Sequence, residues 1–281
     1  MKTLIFGSNG QLGNEVSKKI KGIKISRNIF KNFNFNKKKE IFNILEKFSP
    51  RIIINCAAFT DVDDAERKKK ECLQVNSKAV KFISKYCNKK KILLIHFSTD
   101  YVFNGKKHGF YSETTKTNPI NYYGKSKLLG DKFIINSKCK YIIFRISWVY
   151  NPNKKNNFIY KIKKKINNNI PLLLPIDQIG SPTSVKFITK YLKKTIYLLK
   201  KGSIKSGVYN LAGSKPASRY DVGIFLNKIL KKKTKINYYE YKNRNPKVKR
   251  PLNSKLNISK IEKALNIKLI DWKKDLRENL K

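Results

Sequence analysis

Tyr123 and Lys127 stand four residues apart in Asn121-Tyr122-Tyr123-Gly124-Lys125-Ser126-Lys127, a stretch with a helical pattern. On a helix that spacing puts both side chains on one face, one turn apart. An ammonium beside a phenol stabilises the phenolate, so the phenol proton becomes easier to give and take near neutral pH. Six of the 15 Tyr have Lys four residues further on, so spacing by itself selects none of them. The setting of Tyr123 does. Upstream, the apolar run Ile92-Leu93-Leu94-Ile95 reads as a buried strand, followed by Ser98, Thr99 and Asp100 at its carboxyl edge. In an open parallel sheet that edge is where ligands bind. A long loop and an Asn118-Pro119 turn then lead into the Tyr123 helix.

The first residues supply a partner for this chemistry. Lys2 to Phe6 reads as a strand, followed at once by Gly7-Ser8-Asn9-Gly10-Gln11-Leu12-Gly13 and a helix to about Ile20. Glycines so spaced permit a tight turn, close approach to a pyrophosphate and close helix–strand contact, with the helix N-terminus facing the phosphates. Gly7, Asn9, Gly10, Gln11 and Leu12 are the candidate cofactor contacts of that turn. The next strand, Ile23 to Ser26, should end at the adenosine ribose, where an Asp or Glu would favour NAD. Arg27 stands there instead, a cation suited to the extra phosphate of NADP, and NADPH is the expected cofactor with NADH possible. Strand Arg51 to Asn55 leads to small residues at Cys56, Ala57 and Ala58, then Thr60, where a cofactor could pass close by. The acidic cluster Asp61-Val62-Asp63-Asp64-Ala65-Glu66 reads as a capped helix start rather than a metal site.

The elements that must hold these groups recur along the chain. Helices are expected over Lys38–Phe48 and Ser77–Cys87, and a strand over Tyr141–Ile146. Strand–helix alternation of this kind implies a parallel doubly wound sheet. Beyond residue 150 it loosens: helices near 156–166, 185–199 and 218–231, an extended stretch at 171–175, a strand at 207–211, and an ordered loop over 244–257. The fold class is α/β, a Rossmann-like doubly wound parallel sheet with a smaller C-terminal substrate-binding region. Residues 1–150 form the dinucleotide-binding domain, 182–212 pack back onto it, and 151–181 with 213–281 form the substrate-binding region.

Composition narrows the classes. A chain of 281 residues buries a substantial core. No apolar run approaches a membrane span, and the opening MKTLIFGSNG breaks at Gly7, too early for a secretory signal. Four scattered Cys and two His lack metal-ligand spacing, so no metal and a cytoplasmic location with reduced thiols are expected. The net charge of +46 would suit a nucleic-acid or acidic-membrane partner. Yet 56 of the 64 cations are Lys (64 less 8 Arg), spread from end to end, which favours a coding bias over a specific phosphate-reading surface. Non-specific RNA binding in low salt is its expected by-product.

Together these blocks resemble the extended short-chain dehydrogenase/reductase superfamily, and within it the dTDP-4-dehydrorhamnose reductase family. The resemblance runs nearly end to end: the Gly7–Gly13 loop, Asn55-Cys56-Ala57-Ala58-Phe59-Thr60, Ser98-Thr99-Asp100-Tyr101-Val102-Phe103, the Tyr123 and Lys127 block, and Phe144-Arg145-Ile146-Ser147-Trp148-Val149-Tyr150. Asn157-Phe158, Asp177-Gln178 with Gly180, Pro182-Thr183 and Arg250-Pro251 continue it. The glycine loop and the Tyr/Lys pair mark only the superfamily, and the later blocks mark the family. The resemblance implies hydride transfer from a nicotinamide to the C4 ketone of a dTDP-linked 4-keto-6-deoxy sugar. In that reading Tyr123 gives the proton, Lys127 lowers the Tyr123 pKa and holds the nicotinamide ribose, and Thr99 donates to the carbonyl. Asp100, Tyr101 and Trp148 would line the sugar pocket, and Asn157, Phe158 and Arg250 the nucleotide pocket. Asn34 and Phe35 take the place of the pair that borders the adenine, where relatives often carry an Asp.

A magnesium-bridged dimer, formed by some relatives through C-terminal carboxylates, is not expected, because Lys273 stands where an acid is usual. The chain is expected to be a monomer or homodimer. A dehydratase or epimerase is disfavoured by Asp100-Tyr101 after Thr99, where an Asp-Glu pair is common. A non-catalytic NADP-binding regulatory subunit is the reading from another class, against which the intact Thr99, Tyr123 and Lys127 argue. A nucleic-acid binder would have no use for the glycine loop.

Overall fold

Six apolar segments pair in parallel to form the central sheet: β1 (Thr3–Phe6), β2 (Ile23–Ile25), β3 (Ile52–Asn55), β4 (Leu93–Thr99), β5 (Tyr141–Ile146) and β6 (Gly207–Leu211). The computed structural model describes residues 2–26, 28–30, 33–155 and 157–280. Strand order is β6-β5-β4-β3-β1-β2, so the winding reverses between β1 and β3. Ligand crevices open outside the carboxyl ends of strands at such a reversal. The Gly7 loop and the Ala57 segment leave the sheet there, side by side.

Both faces of the sheet are covered, which is why its strands are mostly apolar rather than alternating, with a few buried polar residues such as His96 and Arg145. Ile5, Ile52, Ile54, Ile95 and Phe144 point to one side, against Leu12 and Val16 of α1 (Gln11–Lys19). Leu4, Phe6, Ile53, Leu94 and Ile143 point to the other, against Ile41 and Leu45 of α2 (Lys38–Phe48). A separate core of Tyr150, Ile159, Ile162, Leu174, Phe225, Trp272 and Leu276 holds the C-terminal region together.

Three features depart from the sequence reading. After α3 (Val62–Arg67), helix starts again at Lys69 and runs through a π turn at Gln74–Lys78 into α4 (Ala79–Lys89), earlier than the expected start at Ser77. Its first turns are polar and are held instead by contacts with α5 (Tyr122–Asn136): Asn76 Nδ2 donates to Ser126 Oγ at 2.9 Å, and Ser77 Oγ to the Ser126 carbonyl at 2.7 Å. A strand at Ile236–Tyr239 pairs with Leu172–Pro175. Short helices close the chain at Ser259–Leu265 and Trp272–Leu280. Among the described residues no helix is long and apolar enough to cross a membrane.

Candidate active site

The glycine loop is shaped by three different demands. Gly7 sits at φ +73°, a left-handed conformation that glycine adopts without strain, and a Cβ there would lie 2.5 Å from the Ala57 nitrogen. At Gly13, inside α1, a Cβ would lie 2.1 Å from the Gly7 carbonyl oxygen, so only glycine lets helix and loop touch. At Gly10 a Cβ would meet nothing closer than that oxygen at 3.4 Å, so this face of the turn is open, at the start of a helix with unpaired N–H groups. Ser8 Oγ, Gln11 Oε1 and Ser26 Oγ are buried around the loop without a partner among the described residues. Open backbone at a helix start and orphaned polar atoms fit the diphosphate and ribose of a dinucleotide.

The neighbouring segment is pinned rather than loose. Asn76 clamps Phe59 through both backbone groups, at 2.9 and 3.0 Å, and Asn55 Oδ1 accepts the Ala57 N–H at 3.1 Å, which fixes the path through Ala57, Ala58 and Thr60. Asn34 Oδ1 accepts from the Asn36 N–H at 2.9 Å, closing its own turn. Phe35 is buried with its ring edge on Phe6, 5.4 Å between centroids, so its aromatic payload is in the core. Arg27, the expected NADP-selecting cation, lies outside the described residues.

Thr99, Tyr123 and Lys127 meet at the carboxyl end of β4 because α5 is anchored there twice. Asn121 caps it, accepting the Gly124 N–H at 2.8 Å, and Glu66 of α3 accepts the Tyr122 N–H at 2.7 Å. Gly124 allows the contact, since a Cβ there would lie 2.2 Å from the Tyr101 carbonyl oxygen. The Tyr101 ring meets the Tyr123 ring edge-on at 5.8 Å. The acidic cluster thus positions the helix: Asp61 caps α3, Glu66 holds α5, and Asp63 pairs with Arg250 at 2.7 Å.

The electrostatics differ from the expectation in one respect. Burial pushes the Tyr123 phenol above its usual range, and the Thr99 hydroxyl beside it only partly offsets this. Lys127 does not relieve it in this geometry, because its Nζ donates to the Phe97 carbonyl at 2.6 Å and lies 3.1 Å from His96 Nε2. Thr99 in turn donates its hydroxyl to Asp100 Oδ1 at 2.9 Å and accepts the Tyr101 N–H at 3.1 Å. Asp100 is buried, with its second oxygen accepting from Ser147 Oγ at 2.9 Å. Its carboxylate therefore orients Thr99 and Ser147 rather than standing open in a pocket.

On the far side of Tyr101, Trp148 adopts φ +44°, unusual for a bulky residue and costly unless its surroundings enforce it. Those surroundings are visible. Its indole lies edge-on to Phe158 at 5.2 Å and under the Arg219 guanidinium at 4.7 Å, and it fills the space that a Gly180 Cβ would take, 2.3 Å from Cε2. Arg219 also covers Phe158 at 4.8 Å and donates from Nε to Gln178 Oε1 at 3.1 Å. Burial lowers the Arg219 pKa, while Tyr101 and Asp100 pull it back up and Arg250 pushes it down. The wall therefore holds two guanidinium groups, only one of them paired with a carboxylate among the described residues. Asn157 does not face this space with a free amide. Its Oδ1 caps the helix Phe158–Asn167 and its Nδ2 donates to the Asn151 and Lys154 carbonyls.

The whole chain, residues 1–281, matches the family model described as RmlD substrate binding domain. A relative from Aggregatibacter actinomycetemcomitans, named dTDP-4-dehydrorhamnose reductase, is 32% identical over 98% of this chain and 97% of its own length. The chain belongs to the dTDP-4-dehydrorhamnose reductase family. Solved structures agree: that from Clostridium acetobutylicum superposes with a TM-score of 0.90 at 26% identity, covering 100% of this chain and 98% of the other. That from Bacillus anthracis, in complex with NADP, superposes equally at 0.90 and 25% identity, covering 100% and 99%.

For a member of this reductase family, two residues need comment. Arg219 was not singled out in the sequence, where it is one cation among 64, although its place after the helix cap Ser218 could have located it at a helix start. Asp275, a C-terminal carboxylate, is turned inward. It accepts from Tyr150 Oη at 3.0 Å, from the Ser184 N–H at 2.9 Å and from Ser184 Oγ at 2.7 Å. Among the described residues no three His, Cys, Asp or Glu side chains gather as a metal site would require. The Gly180–Trp148 contact gives a test of whether the position of the indole bears on activity. Gly180→Ala is expected to displace the indole and lower kcat/KM by about 10–100-fold with the fold intact, measured by steady-state kinetics beside circular dichroism.

Proposed function

We propose that the chain reduces the C4 ketone of dTDP-4-dehydro-L-rhamnose to dTDP-L-rhamnose with NADPH, Tyr123 being the proton donor. The observation that carries this reading is a half-buried phenol, raised by desolvation so that it favours its protonated form, beside Thr99 at the carboxyl end of β4. NADPH, when bound, supplies the hydride. A phenol kept protonated at neutral pH suits a reductase, whose developing alkoxide must receive a proton. Thr99, released from Asp100 by rotation of its hydroxyl, donates to the ketone oxygen and lets the same oxygen face the Tyr123 proton. Trp148 offers an apolar face to the sugar, held there by Phe158, Gly180 and Arg219.

Arg219 and Arg250 supply positive charge for the diphosphate, since a guanidinium fork matches phosphate oxygens and loses little by desolvation when so paired. Arg219→Gln is expected to raise KM for the dTDP sugar about 10–100-fold with a smaller change in kcat, the pattern of lost uniform binding. The same cation stacks on Trp148, so a Lys in its place should restore only part of the loss.

The test is NADPH oxidation, followed by absorbance, on addition of dTDP-4-dehydro-L-rhamnose. Turnover that prefers NADPH to NADH is expected. Tight NADPH binding with no turnover of any dTDP-linked 4-keto sugar would move the assignment to a non-catalytic dinucleotide-binding subunit.

A further inference from the structure

His96, in β4, is fully buried and has no part in the chemistry so far described. Its Nε2 lies 3.1 Å from Lys127 Nζ, and its Nδ1 lies 3.1 Å from Asn55 Nδ2. Asn55 decides which ring nitrogen carries the proton. Its amide oxygen accepts the Ala57 N–H, which aims its NH2 group at His96. Turning the amide over would set NH2 against the Ala57 N–H, two donors face to face. His96 Nδ1 is therefore an acceptor, and the proton of the neutral imidazole sits on Nε2, pointing at Lys127. An ammonium has three donors and no lone pair, so it cannot receive that N–H. An amine can, while still donating to the Phe97 carbonyl at 2.6 Å.

We propose that His96 is a positioning residue which stabilises Lys127 as a neutral amine, making the lysine a readier source of the proton that Tyr123 recovers after each reduction. The inference rests on Tyr123 being the proton donor proposed above. In each turnover the phenol O–H bond breaks and its proton goes to the sugar alkoxide, leaving a phenolate. The Lys127 ammonium, one turn along the same helix but turned toward Phe97 and His96, passes a proton to it through an intervening hydroxyl or water. The lone pair so exposed accepts the His96 Nε2–H, and a proton from solvent restores the ammonium before the next cycle. No further oxidant or reductant is needed.

The other groups around Lys127 leave this role to His96. Asp131, on the same helix, favours the ammonium, but its Oδ2 accepts from Ser98 at 2.6 Å and it also feels the charge of Arg145. Cys56 and Cys72 are thiols raised by burial and carry no charge at neutral pH. Burial brings Lys127 down to about 8, against the pull of Asp131. Burial, then Lys127, lowers His96 well below the usual imidazole range, so it stays neutral while Lys127 titrates. A lowered lysine pKa means that the ammonium is lost as pH rises through about 8, and kcat for reduction should fall there.

The chain has two His, and His108 is exposed, so His108→Asn leaves one imidazole to observe. Long-range 1H–15N spectra of that 15N-histidine-labelled protein are expected to show the Nε2–H tautomer of His96, unchanged from about pH 6 to 9. An Nδ1–H tautomer would overturn the proposal, because Nε2 would then accept from an ammonium. In the kcat–pH profile, His96→Leu is expected to move the basic limb up by about one unit, the worth of one hydrogen bond. His96→Gln, whose N–H can reach the Nε2 position, should bring the limb back. A fall in kcat with the limb unmoved would reduce His96 to packing and also overturn it. Absence of turnover in every form, wild type included, would strike the reductase reading instead, because the tautomer is read without substrate.

Discussion

Tyr123→Phe is expected to lower kcat for reduction by about 10²–10⁴-fold, the usual worth of a positioned general acid, and to leave the NADPH dissociation constant within about twofold. The change deletes one oxygen and keeps the ring that Tyr101 packs against edge-on. The loss should therefore be chemical and not structural. Thermal denaturation beside the kinetics separates the two, since a Tm within a few degrees of wild type is expected. A variant that kept more than about a tenth of wild-type kcat would place the proton donor elsewhere.

Gly13→Ala is expected to have the next largest effect, for a steric reason. Its Cβ would stand 2.1 Å from the Gly7 carbonyl oxygen, which belongs to backbone that is itself pressed against Ala57. Neither side can yield cheaply, so α1 must shift from the loop, at an overpacking cost of about 1–3 kcal/mol. Phosphate contacts made by the loop would shift with it. Losing one or two charge-assisted hydrogen bonds, each worth about 1.5–3 kcal/mol, raises the NADPH dissociation constant about 10–10⁴-fold. Gly10→Ala is the informative contrast. Its Cβ meets only a 3.4 Å contact, so Tm should hold while NADPH binding weakens, since the methyl group intrudes on the open face alone. Calorimetric titration of both variants, with melting curves, checks the pair. Equal destabilisation by the two would contradict the division of labour assigned to these glycines.

The parts legible in the sequence were those where one residue type answers one demand. Gly7 and Gly13 could be read because a turn at φ +73° and a helix–loop contact of this closeness both exclude a side chain. β1 to β6 could be read because strands covered on both faces are predominantly apolar runs. The two closing helices were hidden by composition. Ile261 and Leu265, or Trp272 and Leu276, are the whole buried apolar stripe of each, set among lysines that occur everywhere in the chain. The π turn could not be seen, because what holds it is Asn76 and Ser77 reaching α5 some 50 residues away in sequence.

The site shows the same division. The order of Thr99, Tyr123 and Lys127 was visible, but their hydrogen bonds were not. Lys127 faces Phe97 and His96, and Thr99 faces Asp100, contacts that depend on where β4 and α5 cross. Arg219 escaped notice because charge carries no information in a chain with 64 cations, and only its position over Trp148 distinguishes it. Asn157 fitted a motif, yet its amide is consumed by capping and loop contacts that sequence spacing does not reveal.

The most direct test of the account is to follow the hydride itself. NADPH deuterated at the transferred position of the nicotinamide C4 would be incubated with dTDP-4-dehydro-L-rhamnose, and the product sugar examined by NMR. Deuterium at C4 of a rhamnose configuration, formed by the wild type and lost with Tyr123→Phe, is the predicted result. Deuterium at another carbon, or a C4 hydrogen drawn from solvent, would contradict it.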